Sequence, residues 1–158
     1  MLESLSHGTS TAAKFLALPA EERRTALAQL GLLRYAPLFV FMAASTANIT
    51  VLGRWFAAPD RVKFPDLRGA DLAHLDLSRT NLIRADLTGA DLRGTVLRYA
   101  DLLFARLVDA DLTDADLRGA TLNESLWQRA RVTNCLLTDT VGLTASQRIS
   151  LGQRGAVL

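Results

Sequence analysis

Leucine recurs every five residues, at positions 67, 72, 77, 82, 87, 92, 97, 102, 107, 112, 117 and 122, with no insertion. Trp127, Val132 and Leu137 keep the register, so fifteen five-residue units run from 65 to 139. No ordinary element has that period. A helix repeats every 3.6 residues and a strand every 2.0. On a helix, successive leucines would be turned about 140° from one another, and no single face could bury them. The chain must therefore turn a corner every few residues, with an apolar side chain directed inward each time.

Two further positions obey the period. The residue two before each centre is nearly always small, as at Ala70, Ala85, Ala90, Ala100, Ala110, Ala120, Ser125 and Cys135. The residue just before the centre is usually Asp or Asn, as at Asp66, Asp71, Asn81, Asp86, Asp101 and Asp116. Those side chains bond nearby backbone groups and so suit corners. Segments such as Ala85-Asp86-Leu87-Thr88-Gly89 and Ala115-Asp116-Leu117-Arg118-Gly119 resemble the pentapeptide-repeat family, including its cyanobacterial-type members. The resemblance implies an all-β, right-handed quadrilateral parallel β-helix with four pentapeptides per coil. Fifteen units would then make 3.75 coils, a tower about 18 Å tall at one strand spacing per coil.

A solenoid has open ends that invite strand pairing unless capped. Residues 141–158 are expected to supply one cap: Thr144 can start a helix over about 145–153, with Gly155 after its end. Residues 1–60 form a separate helical segment. Helices are expected over about 11–17 and over about 19–33, with Pro19 and two glutamates at the start of the second. The next stretch, Tyr35 to Leu52, is 18 residues without a charge. One reading is a helix over the open N-terminal end of the coil. The others are a membrane-associated helix, although the segment is polar for one, and a helix that docks into a larger partner. The repeat domain lies between these segments, at 61–140.

No constellation of reactive groups converges. His7 and His74 are the only histidines, one near the terminus and one on an outward repeat position. No nucleophile elbow, zinc-protease pair or phosphate-binding glycine loop occurs. Cys135, the single cysteine, falls on an inward position and is expected to be inert. Asp71, Asp91 and Asp111 would stack on one side of the coil, but corner bonding explains them better than a metal. The reading is a chain without catalytic residues, cofactor or metal. No continuous apolar leader opens it, so a cytoplasmic or peripherally membrane-associated location is expected, not secretion.

Charge bears on a second implication of the resemblance, that some family members mimic DNA and bind topoisomerases. Residues 65–139 carry 12 acidic and 9 basic side chains, a mixed surface unlike the close-set phosphates of DNA. The same mixture argues against nucleic-acid binding. What departs from the polar surface is an apolar set, Ile83 below Leu103 with Phe104 beside it, and Tyr99 and Val108 on neighbouring outward positions. A contiguous apolar patch marks a contact. The expectation is a non-enzymatic interaction scaffold or accessory subunit of a larger bacterial assembly, photosynthetic or membrane-associated. It would meet a protein partner or a second copy through these five residues. The alternatives are the topoisomerase-binding mimic and an accessory protein anchored by residues 35–52.

Overall fold

The computed structural model describes residues 8–57 and 63–158. In the second of these stretches the backbone pairs with itself at a spacing of twenty. Asp66 bridges Asp86, Asp86 bridges Arg106 and Arg106 bridges Leu126, and the other three sides of the coil repeat the pattern, always parallel. The first side is centred on Leu67, Leu87, Leu107 and Trp127, the second on Leu72, Leu92, Leu112 and Val132. The third is centred on Leu77, Leu97, Leu117 and Leu137, the fourth on Leu82, Leu102 and Leu122. All fifteen centres are buried, as are the alanines between them.

One repeat shows why five residues suffice. In 85–89 the Ala85 N–H bonds back across the corner to Leu82 O, Asp86 N–H reaches Pro65 O below, and Leu87 and Gly89 N–H reach Arg106 O and Val108 O above. The fifth N–H, of Thr88, points where no neighbouring coil offers an acceptor; the Asp86 carboxylate takes it at 3.1 Å. Every backbone donor is thus satisfied. The same bond recurs from Ser78 to Asp76, Ile83 to Asn81, Leu103 to Asp101 and Thr113 to Asp111.

Every fifth residue from 69 to 139 has positive φ, including Arg84, Tyr99, Phe104 and Glu124. With the cross-corner bond, this is the mark of a type II turn. The corners leave one bridging residue per side, so among the described residues the coil holds isolated bridges and no extended strand. In that respect, and in its helices, the chain departs from an all-β reading.

The C-terminal end is closed by α5, Ala145–Gln153, which Thr144 opens with a reciprocal capping box to Gln147. Its end is a Schellman turn at Gly155, with Ala156 N–H on Leu151 O and Gly155 N–H on Gly152 O. A further coil would have placed the N–H groups of residues 146 and 151 on Ser125 O and Ala130 O. Gln147 Nε2 and Arg154 Nη1 occupy those acceptors instead, both at 2.9 Å. The tail then returns as a last rung: Val157 bridges Leu136, one residue beyond the usual spacing of twenty.

The chain divides into two compact units, 1–63 and 64–158. The first, described on its own, holds α1 (Gly8–Ala17), α2 (Ala20–Gln29), a 3-10 turn Leu33–Tyr35, α3 (Ala36–Phe39) and α4 (Thr46–Ala57). Three differences from the sequence expectation have local causes. The first helix begins at Gly8, not near residue 11. The second stops at Gln29 and not Leu33, because Gly31 at φ 68° makes a Schellman turn with Leu32 N–H on Leu27 O. The uncharged stretch 35–52 is not one helix. Ser45 accepts the Asn48 N–H and so starts α4 afresh, and the buried Asn48 amide donates to Ala43 O at 3.0 Å. Among the described residues, 35–52 included, no helix is long and apolar enough to cross a membrane.

Tyr35 and Phe39 each meet Trp55 edge-on at 4.7 Å in the core of this unit. Arg23 holds its helix ends. The guanidinium donates to Leu18 O at 2.9 Å, Val40 O at 3.0 Å, Met42 O at 2.8 Å and to Leu16 O. The carbonyls of Leu16 and Leu18 lie at the end of α1 and that of Val40 at the end of α3, where helix dipoles are negative. Arg23→Ala should cost about 2–4 kcal/mol, since several carbonyls lose a charged donor. Urea unfolding followed by Trp55 fluorescence in a Trp127→Phe background measures it. Arg154→Ala should cost about 1–3 kcal/mol and speed amide exchange across residues 127–134, read by mass spectrometry.

Candidate interaction surface

Twenty residues per coil arrange the outward side chains in columns. The column on the fourth side runs Phe64, Arg84, Phe104, and it is continuous: the Arg84 guanidinium lies 5.3 Å from the Phe64 ring and 5.1 Å from the Phe104 ring. Beside it Leu103 sits one coil above Ile83, both half-buried. Phe104 is 43% exposed and Phe64 47%. The structure therefore joins three of the sequence-predicted residues, Ile83, Leu103 and Phe104, on one side.

Tyr99 belongs to the third side, at the corner before Leu102. It is 62% exposed, with Arg79 5.3 Å beneath its ring. Its ring lies over Gly119, where a Cβ would fall 2.5 Å from it. Val108 is half-buried on the first side, in a different column. Sequence reasoning missed Phe64 and Arg84. The signal was the spacing of twenty, which ties 64, 84 and 104, but Phe64 precedes the first counted repeat.

Elsewhere the surface is laced by ion pairs. Arg93 grips Asp91 with Nε at 2.9 Å and Nη2 at 2.6 Å, and Arg129 grips Asp109 one coil below at 2.6 and 2.7 Å. Asp116 takes Arg118 at 2.7 Å and Arg98 at 3.1 Å. The carboxylates of the stacked aspartates are similarly engaged, Asp91 by Arg93 and Asp111 by Thr113 Oγ1 at 2.6 Å. No group of three or more metal-ligating side chains gathers among the described residues. Cys135 is buried, and burial pushes its thiol up to about 12, which leaves it unreactive at neutral pH.

A family model for pentapeptide repeats, in eight copies, matches residues 66–98 and 76–114. The coil is built of pentapeptide repeats. No curated protein matches the chain. Among solved structures it is similar to a pentapeptide repeat protein from the thylakoid lumen of Arabidopsis thaliana, at 27% identity and TM-score 0.50, over 58% of this chain and 79% of that one. That likeness implies a right-handed β-helix. Two cyanobacterial pentapeptide repeat proteins also match. One, from Cyanothece 51142, is 28% identical over 49% of this chain and 57% of its own, with TM-score 0.33. The other, from Nostoc Pcc 7120, is 29% identical over 68% and 91%, with TM-score 0.23. None of these matches indicates a catalytic family.

The repeat aspartates give the fold a pH dependence of known sign. The hydrogen bond from Arg93 holds Asp91 below the usual carboxylate range, that from Arg118 holds Asp116 there, that from Arg129 holds Asp109, and that from Ser78 holds Asp76. A carboxylate depressed in the folded state contributes stability that is present above its unfolded pKa and lost as pH falls through the folded value. Thermal midpoints by circular dichroism should therefore hold steady from neutral pH down to about 4 and decline below it.

Proposed function

We propose that the chain is a non-enzymatic scaffold or accessory subunit that receives a protein partner on the fourth side of its coil. The observation that supports this reading is the Ile83–Leu103 pair set beside the Phe64–Arg84–Phe104 column, an apolar and aromatic strip beside sides that carry Asp–Arg pairs. Aromatic residues and arginine are the side chains most often enriched at the centre of interfaces. The coil beneath is already ordered by its backbone bonds, so docking costs little conformational entropy. Tyr99 with Arg79 extends the surface round one corner; Val108 lies beyond the other.

The partner is a protein, either another chain or a second copy of this one. The thylakoid-lumen source of the similar structure makes photosynthetic membranes the first material to search. Ile83→Asp combined with Leu103→Asp should abolish the main contact and leave the coil folded. The measurement is native mass spectrometry after purification in mild detergent, with circular dichroism as the folding control. Unchanged assembly in a folded double variant would sink the assignment of this side.

A further inference from the structure

A concavity of the repeat domain lies away from that strip, between α5 and the last coil. It is a groove of about 510 Å³ whose walls include Trp127, Gln128, Arg129, Ser146, Ser150 and Arg154. That volume falls in the range of small-molecule sites, roughly 300–1,000 Å³. No carboxylate is among the lining residues, although the coil as a whole carries more acid than base. Two guanidiniums therefore face a space that no lining acid neutralises, apart from the Asp109 pair on the outer edge of Arg129.

Both arginines are held along one edge and keep donors to spare. Arg129 spends Nε and Nη2 on Asp109, at 2.6 and 2.7 Å, and keeps Nη1. Arg154 spends Nε on Ser150 O at 3.3 Å and Nη1 on Trp127 O and Ala130 O at 3.0 and 2.9 Å, and keeps Nη2. The Ser150 hydroxyl and the Gln128 amide also have no hydrogen-bond partner among the described residues. Trp127 is fixed in the wall by its indole N–H, which donates to Ser125 Oγ at 2.8 Å. Planar guanidinium donors suit tetrahedral oxyanions, and Arg154, tied to three backbone carbonyls, loses little entropy in binding one.

We propose that this groove binds a phosphoryl group, free or carried by a small ester. The site is separate from the fourth side, so partner binding and anion binding stand or fall independently. The test uses the full chain and follows its two indole signals by proton–nitrogen correlation NMR at constant ionic strength. Trp127 reports on the groove and Trp55, in the other unit, serves as the control. Addition of inorganic phosphate should move the Trp127 signal saturably and leave that of Trp55 in place. Glycerol phosphate in a parallel titration separates the sources: tighter binding assigns an ester, equal binding assigns free phosphate, and either supports the site. Ser150→Glu puts a carboxylate into the groove from an exposed position and should weaken binding at least about tenfold. If that variant does not fold, Arg129→Gln gives the same reading. A shift that never saturates, that moves both indoles alike, or that survives the substitution overturns the proposal.

Discussion

A coil of single bridging residues is stable only if each short side leaves no backbone donor unsatisfied. Four of the five N–H groups in a repeat find carbonyls by geometry: one across the corner, one in the coil below, two in the coil above. The fifth does not, and where Asp or Asn precedes the leucine, as at Asp76, Asn81, Asp86 and Asp101, its side chain accepts it. The leucine core, the stacked alanines and the outward columns all depend on that accounting. It also fixes the spacing at twenty residues, because a slip of one residue would turn the leucines out of the core and misplace every acceptor.

The ends of the coil and the ends of the helices pose one problem, carbonyls with no backbone donor opposite them, and the chain meets it twice with guanidinium groups. Arg154 and Gln147 place side-chain N–H groups where the next coil's amides would lie. In the helical unit Arg23 gathers the carbonyls of Leu18 and Val40 that close α1 and α3. In both places one side chain substitutes for a missing turn of regular structure. Arginine suits the task because its several planar donors can serve carbonyls that diverge.

The inward half of the fold was legible in the sequence, since Leu, Ala and Asp recur in positions where physics leaves little choice. The outward half was only partly so. Left-handed corner residues are ordinarily Gly or Asn, yet Arg84, Tyr99, Phe104 and Glu124 take that conformation here because the N–H groups of the corner are bonded to the coil above or across the turn. No propensity rule would have placed them there. Gly31 and Ser45 are readable stop and start signals: the first ends α2 short of Leu33, and the second divides the uncharged run 35–52. The last rung at Val157 hid behind α5, which replaces two sides of a coil and returns the chain one residue out of step.

Because the backbone bonds are satisfied within each repeat and by the coils on either side, outward residues can change with little consequence for the fold. Each side can therefore choose its outward residues separately, although residues one coil apart in a column, such as Tyr99 and Gly119, constrain each other. The first, second and third sides spend theirs on Asp–Arg pairs, which at an exposed surface contribute little stability and keep the faces hydrated. The fourth side spends its own on Ile83, Leu103 and two phenylalanines clasping Arg84. A charged side chain held between rings loses less on desolvation than a free one, so this column can be buried against a partner while the ion-paired sides stay wet. Selectivity among the four faces then follows from the cost of drying each, and it is lowest where the aromatic column stands.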